Sequence, residues 1–148
     1  RVRRTQIMIY NLLKNIDGKI PFNKASAHCD IPCKIYDPVT AQLAVLTMIR
    51  MVDLLVELKN KEALSFDQQA TFNRLVSEKE VHGKKVKDEI TVIWGDFIKE
   101  PQLTKFPELH ELVHSIMLNA SAAKQHIDKE VTLALLTKVN AFAEIFSV

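Results

Sequence analysis

The chain has 148 residues and a formal net charge of +2, and it contains three glycines and two cysteines. This length is enough for one domain that buries its own core, and no uninterrupted apolar run approaches the ~20 residues of a transmembrane helix, so we expect a soluble protein without a membrane partner. Residues 1–27 carry a net charge of +5 and residues 28–148 carry −3. Nucleic acid is therefore disfavoured as a partner, because no basic stripe with interleaved aromatic residues remains beyond residue 27.

Residues 1–27 differ in composition from the rest of the chain. Three arginines precede a short apolar patch at residues 7–13, and the segment ends in Ala25-Ser26-Ala27. A basic start, an apolar stretch and an Ala-x-Ala cleavage site describe a secretory signal. The patch is at the short limit for such a signal, however, and charged residues separate it from the cleavage site: Lys14, Asp17, Lys19 and Lys24. On these residues alone, a secretory signal and a maturation leader both stay open.

The next segment holds both cysteines of the chain. Cys29 and Cys33 are separated by three residues, and His28 directly precedes the first of them. This spacing differs from the Cys-x2-Cys of zinc ribbons and thioredoxin-like motifs, and no second Cys/His pair at finger spacing follows, which disfavours a four-ligand structural zinc site. Pro32 fixes φ and lacks an N–H group, so it favours a tight loop that brings the two cysteines together. The pattern indicates one local, thiolate-rich metal site.

The first helix is predicted from Pro38 to about Lys61, with Asp37 as its N-cap and proline at the first helical position. Its few polar residues form one narrow stripe, and apolar side chains surround that stripe. A helix that is apolar on most sides must be buried on most sides. We therefore expect contacts with other subunits as well as an intramolecular core.

Three further helices are predicted. The second begins at Ser65, where Gln68 completes a capping box, and continues to about Lys99. After a break at Pro101, the third spans about residues 107–123, and Asp128 caps a fourth that reaches residue 146. Few glycines and no alternating strand pattern argue against sheet. The sequence therefore predicts an all-α fold in which four helices with short connections pack as an antiparallel four-helix bundle.

Three histidines outside the cysteine segment are candidates for a second metal site. His110 and His114 stand four residues apart on the third helix and could chelate a divalent cation. They lack a glutamate at the position that zinc proteases use and a third ligand on the same face. We therefore interpret these two residues and His126 as surface or core histidines.

The segment HCDIPCKIYDP at residues 28–38 resembles the nickel-binding hook of nickel superoxide dismutases. Further stretches in the same order are similar to that family: WGDFIKEP at residues 94–101, KFPELHELV at 105–113 and SAAK at 121–124. The similarity covers the chain from His28 to its end. It implies the bundle predicted above, with the hook projecting from the start of the first helix and the subunits assembled as a homohexamer.

The resemblance implies one nickel ion per subunit as the cofactor. The thiolates of Cys29 and Cys33, the backbone amide nitrogen of Cys29 and the amine of His28 would lie in one plane, with the His28 imidazole as the axial ligand of the oxidised state. Thiolates suit this task because they stabilise the higher oxidation state of nickel. The His28 amine exists only after the bond between Ala27 and His28 has been cut. We therefore expect a leader at residues 1–27, a mature domain at residues 28–148, a maturation protease and a nickel-delivery factor.

Asp30 and Tyr36 are implied to lie around the open face of the nickel, where they would position water or the incoming anion and act as catalytic residues. Considered alone, Asp30 is a turn former and Tyr36 a core aromatic residue. The family also suggests a cis bond at Pro32. With a maturation leader rather than a secretory signal, a cytoplasmic location is expected, and export is the alternative.

The chain departs from the family at three positions. A glutamate and an arginine that hold the axial imidazole in better-known members are replaced by Ala44 and His82. His82 would either hydrogen-bond to the His28 imidazole or be a core histidine satisfied by a neighbour. Phe97 stands where the family often has tyrosine, so Tyr36 would act alone in positioning water.

The leading functional prediction is a nickel-dependent superoxide dismutase, an antioxidant oxidoreductase that converts superoxide to dioxygen and hydrogen peroxide by Ni(II)/Ni(III) cycling. Two alternatives stay open. One is a nickel or copper carrier that binds metal through the same hook without turnover. The other is an exported helical bundle in which Cys29 and Cys33 form a disulfide.

Overall fold

The computed structural model describes residues 35–147. Five α-helices follow one another in this range: α1 Val39–Lys59, α2 Phe66–Val92, α3 Glu100–Lys105, α4 Leu109–Gln125 and α5 Lys129–Phe146. A five-residue π-helical turn, Ile93–Phe97, extends α2 and is called the π-turn below. Residues 35–147 contain no β-strand, which confirms the all-helical prediction. The leader, its boundary at residue 27 and the hook up to residue 34 lie outside the described residues.

The four long helices form an antiparallel bundle. α1 packs against α2 and α5, and α4 packs against the same two helices. Residue numbers rise along α2 as they fall along α4 in the side-chain contacts that join them: Lys87 with Ser121, Thr91 with Met117, and Trp94 of the π-turn with His110. The predicted four-helix bundle is therefore confirmed. The short helix α3, which lies in the connection between α2 and α4, was not predicted.

Local side chains cap the helices where the sequence predicted them. Asp37 accepts a hydrogen bond from the Val39 N–H at 2.8 Å. Ser65 and Gln68 form a reciprocal capping box at the start of α2. Asp128 accepts hydrogen bonds from the first N–H groups of α5. Each of these bonds satisfies N–H groups that a helix leaves unpaired in its first turn.

Within one chain α1 is buried on one side only, and the predicted contacts with other subunits lie beyond what a single chain tests. One row of its side chains is fully buried in the core, but Val39, Leu43 and Leu46 are exposed to 45%, 58% and 48%. These three residues are called the α1 apolar face below. By length and mean hydropathy α1 would also pass as a membrane-crossing helix. Its buried row against α2 and α5 is the arrangement of a core helix in a bundle.

Among residues 35–147 one charged side chain is buried, Lys79 of α2, which is 2% exposed. Its ammonium donates hydrogen bonds to the carbonyl oxygens of Ala123 at 2.7 Å, Lys124, and His126 at 3.1 Å. These carbonyls end α4, where a helix leaves acceptors unpaired.

One turn along α2 from Lys79, a Cβ on Gly83 would clash with Cγ of Lys124. Glycine therefore permits the close approach of α2 to the end of α4.

Candidate functional site

Most of the predicted metal site precedes the described residues. The predicted ligands His28, Cys29 and Cys33 lie outside them, as do Asp30 and Pro32. Their roles therefore stay predictions. Tyr36 is the first predicted site residue that the structure describes, and it lies three residues after Cys33, immediately before the cap of α1.

Tyr36 packs into a small aromatic cluster. Its ring lies 5.6 Å from the ring of Phe97, at an angle of 53°, and Phe97 in turn lies 4.8 Å from Phe146 at an angle of 46°. Tyr36, Phe97 and Phe146 are called the aromatic cluster below, and all three are partly buried against the core. Tilted ring pairs at these separations are a favourable arrangement. Tyr36 therefore packs on the π-turn through Phe97, and Phe97 packs on the last turn of α5.

Phe97 provides the surface on which Tyr36 rests. The sequence predicted that a phenylalanine here would leave Tyr36 alone as the hydroxyl-bearing residue, and Tyr36 is the only tyrosine between residues 35 and 147. The direct contact between the two rings adds a role that the sequence did not predict. Because Phe97 has no hydroxyl group, its contribution is packing.

The π-turn sets the direction in which Phe97 points. Its hydrogen bond runs from the Ile98 N–H to the Ile93 carbonyl at 3.1 Å, five residues back. Ile93 and Ile98 are both buried. In an α-helix the residue four positions after Ile93, which is Phe97, would follow it along the same face. The wider turn places Ile98 there instead, so that Phe97 reaches Tyr36 beside the core. π-turns of this kind are frequent at functional sites.

A hydrogen bond beside the π-turn was missed by sequence reasoning. The Trp94 indole N–H donates to Nδ1 of His110 at 3.0 Å, and the two rings meet edge to face at 5.6 Å and 88°. His110, His114 and His126 are exposed, which agrees with the surface form of the prediction of surface or core histidines. Within residues 35–147 no three His, Cys, Asp or Glu side chains come together as a metal site. The sequence offered one indication of this pair: Trp94 and His110 both lie in stretches that resemble the family.

His82 is satisfied by its own helix. Its Nδ1 lies 2.8 Å from the Glu78 carbonyl oxygen and 3.7 Å from the Glu78 carboxylate. Ala44 is 2% exposed and belongs to the core. One of the two predictions for His82 was that a neighbouring residue satisfies its imidazole, and Glu78 is such a neighbour. The other prediction, a bond to the His28 imidazole, involves a residue outside the described range.

A polar groove adjoins the aromatic cluster. It has a volume of about 680 Å³ and lies between the start of α1 and the end of α5, and its lining includes Asp37, Gln42, Asn140 and Phe146. Gln42 Nε2 donates to Oδ1 of Asn140 at 2.9 Å, which joins the two helices in this region. The residues next to Tyr36 therefore combine an apolar support with polar side chains on the groove side.

Comparisons with known proteins agree with this arrangement. The family described as nickel-containing superoxide dismutase matches residues 23–148. The nickel superoxide dismutase of Streptomyces seoulensis is 31% identical over 126 residues, covering 85% of this chain and 90% of its own length. That of Streptomyces coelicolor is 31% identical over 121 residues, covering 82% and 86%.

Solved structures give the same result. A native nickel superoxide dismutase at 1.30 Å superposes with a TM-score of 0.70 and 28% identity, covering 80% of this chain and 95% of that protein. An apo structure superposes with a TM-score of 0.66 and 25% identity, covering 76% and 94%. The family match spans most of the chain and includes the cysteine segment as well as the bundle. The chain therefore belongs to the family of nickel-containing superoxide dismutases.

Proposed function

We propose that this nickel-dependent superoxide dismutase holds its metal with His28, Cys29 and Cys33 and positions its substrate with Tyr36 and Asp30. The observation that carries the proposal is the donor set: both cysteines of the chain and an adjacent histidine lie within six residues, inside the family match. Two thiolates with nitrogen donors fit nickel, because soft sulfur ligands and a planar nitrogen and sulfur environment suit its two oxidation states. When bound, nickel supplies the one-electron chemistry that oxidises one superoxide to dioxygen and reduces another to hydrogen peroxide.

The chain's own residues prepare the donors. The thiols of Cys29 and Cys33 must lose their protons to act as ligands, so binding releases protons and strengthens as the pH rises. The amine of His28 becomes available only when residues 1–27 have been removed. The start of the family match at residue 23, close to this boundary, supports a mature domain of residues 28–148.

Tyr36 is proposed to deliver or orient a proton at its hydroxyl group. Reduction of superoxide to hydrogen peroxide consumes two protons, and a phenol can donate one and accept one in a hydrogen bond. The ring of Tyr36 is supported by Phe97, and Phe97 by Phe146. A ring packed on this support keeps its hydroxyl in a reproducible place, as catalysis requires. Asp30 is proposed to act beside it.

The subunits are proposed to assemble as a homohexamer. The support in this chain is the α1 apolar face, where Val39, Leu43 and Leu46 are exposed next to the residues that lead into the hook. Exposed apolar side chains that lie together on one helix are typical of protein contacts.

We also propose a cytoplasmic location, a maturation protease that removes residues 1–27, and a factor that delivers nickel.

The test compares two chains: one that begins at His28 and the uncut 148-residue chain, both supplied with one nickel ion per subunit. We expect fast catalytic loss of superoxide with the cut chain only, because only this chain has the His28 amine. Loss of one superoxide per bound nickel, without turnover, would indicate a carrier instead. A thiol titration that finds Cys29 and Cys33 joined in a disulfide would support the exported bundle.

A further inference from the structure

We propose that His110 is a positioning residue for the catalytic site. Its Nδ1 accepts the Trp94 indole N–H, this bond fixes the π-turn, and the π-turn places Phe97 under Tyr36. The inference rests on the role proposed above for Tyr36. It extends the site from the hook to the start of α4.

The π-turn is locally weak. It contains Gly95, and a glycine inside a helix costs about 1 kcal/mol relative to alanine. A Cβ at Gly95 would meet no atom within 4 Å, so packing does not require glycine there. The wider turn also has poorer local support than an α-helix, which is why such turns are short. Contacts from outside the turn must therefore hold it.

The bond to His110 is the contact best suited to this task. Trp94 is the second residue of the π-turn and His110 is the second residue of α4, so the bond ties the end of α2 to the start of α4. At 3.0 Å it has good hydrogen-bond geometry. A second side-chain bond to the turn, from Lys99 Nζ to the Gly95 oxygen, is longer at 3.4 Å. The Trp94 bond is therefore the stronger support.

Loss of the π-turn would change which side chain faces the core. If the segment returned to α-helical spacing, Phe97 would take the place along the core row that Ile98 now holds. Ile98 is 6% exposed, so its removal from the core would cost apolar burial, and Tyr36 would lose the ring on which it rests. The Trp94 to His110 bond therefore favours the register of the turn that supports Tyr36.

The bond also fixes the form of the imidazole. Nδ1 accepts this bond, so the tautomer that fits it carries its proton on Nε2. A residue with an acceptor near this position can replace His110, and one without an acceptor cannot. Asn provides a side-chain oxygen, whereas Leu has a comparable size without one. These two substitutions separate hydrogen bonding from packing.

The experiment uses the nickel-loaded chain of residues 28–148 with His110→Leu, His110→Asn and, as a matched control, His114→Leu. The first readout is exchange of the Ile98 amide, whose hydrogen bond closes the π-turn. The second is the fluorescence of Trp94, the only tryptophan of the chain. The third is superoxide turnover per bound nickel. Exchange and fluorescence are measured on the nickel-free chain as well.

We expect His110→Leu to raise the exchange rate of the Ile98 amide about fivefold, the factor that corresponds to one ordinary hydrogen bond of about 1 kcal/mol. Trp94 emission should shift, and turnover should fall several-fold at unchanged nickel content. His110→Asn should restore all three readouts, and His114→Leu should leave them unchanged because His114 is an exposed residue one turn further along α4.

A His110→Leu chain with normal turnover would overturn the inference, whether or not the Ile98 amide exchanges faster. If that variant does not fold, Trp94→Phe removes the donor and keeps a ring, and normal turnover in Trp94→Phe would overturn the inference equally. Failure of the proposed function is a different result, because it would show as absent turnover in the unmodified chain.

Discussion

The Lys79 side chain of α2 caps the C-terminal end of α4, whose own sequence supplies no glycine cap. α4 has no glycine after its last turn, and the Lys79 ammonium of α2 supplies the donors for its final carbonyl oxygens. Burial is the main cause that lowers the pKa of Lys79, and the nearby Lys124 lowers it further, while Glu80 acts in the opposite direction. The side chain is therefore both a cap and a buried cation.

Replacing Lys79 with methionine should lower the free energy of unfolding by about 1–3 kcal/mol, because carbonyl oxygens at the end of α4 lose their donor. Urea denaturation at neutral pH measures this. Because the pKa of Lys79 is lowered on folding, the unfolded chain binds more protons between that value and the ordinary 10.5, so stability from this group rises with pH in that window. The loss in Lys79→Met should therefore grow at alkaline pH.

Lys84→Met is the control for this measurement. Lys84 lies on the same helix with its side chain 77% exposed, and its ion pair with Asp88 is 3.8 Å long. Exposed pairs of this kind contribute little. An equal loss of stability in both variants would contradict the capping role of Lys79.

Tyr36→Phe tests the phenol without removing the ring. The contact with Phe97 can persist, so the aromatic cluster should stay in place, while the hydroxyl that is proposed to position a proton is lost. We expect turnover to fall by about tenfold or more, since positioned acids and bases contribute on the order of 10²-fold or more. Pulse radiolysis with nickel content measured in parallel checks this.

Phe97→Tyr is the variant that complements Tyr36→Phe. It restores the phenol that the family often has at this position, in direct contact with Tyr36. In the Tyr36→Phe background it should recover part of the lost turnover. Unchanged turnover in Tyr36→Phe alone would remove the phenol from the mechanism and leave Tyr36 as a packing residue.

At the scale of elements, the helix starts were predictable and the π-turn was not. The caps accept hydrogen bonds from N–H groups two or three residues away, so they can be predicted from the local sequence; they are Asp37, Ser65 and Asp128. The contact of the π-turn with α4 joins Trp94 to His110, a pairing that local patterns do not contain. The same holds for the site: its cysteine segment is visible in the sequence, and the support beneath Tyr36 is not.

Asp128→Ala tests one of the predicted caps. Asp128 accepts hydrogen bonds from the N–H groups of Glu130 at 2.9 Å and Val131 at 3.2 Å, and its charge favours the start of α5. The free energy of unfolding should fall by about 0.5–2 kcal/mol. Thermal unfolding monitored by circular dichroism measures the loss, and Asp88→Ala within α2 is the control, with an expected change below about 0.5 kcal/mol. Equal effects would contradict the capping role.

At the scale of the whole molecule, the sequence predicted both the bundle and an α1 with more apolar surface than one chain covers. Periodicity shows which side chains of α1 are apolar, but it does not distinguish a face covered by the same chain from one covered by another. The bundle buries one row of α1, and the α1 apolar face stays exposed within residues 35–147. Covering it requires a partner, for which a second copy of the chain is our proposal.

Leu43→Glu combined with Leu46→Glu tests the α1 apolar face as a contact between subunits. Both side chains are exposed in the bundle, at 58% and 48%, so the helical content should persist while a buried carboxylate would disfavour association. If the chain of residues 28–148 forms the proposed hexamer, sedimentation velocity should show it replaced by smaller species in the double variant. The control is Leu118→Glu on α4, where a residue 60% exposed lies on a different helix and should leave the association state of the unmodified chain unchanged. If the double variant sediments like the unmodified chain, the subunits meet through another surface, and the exposed residues of α1 serve no contact between copies.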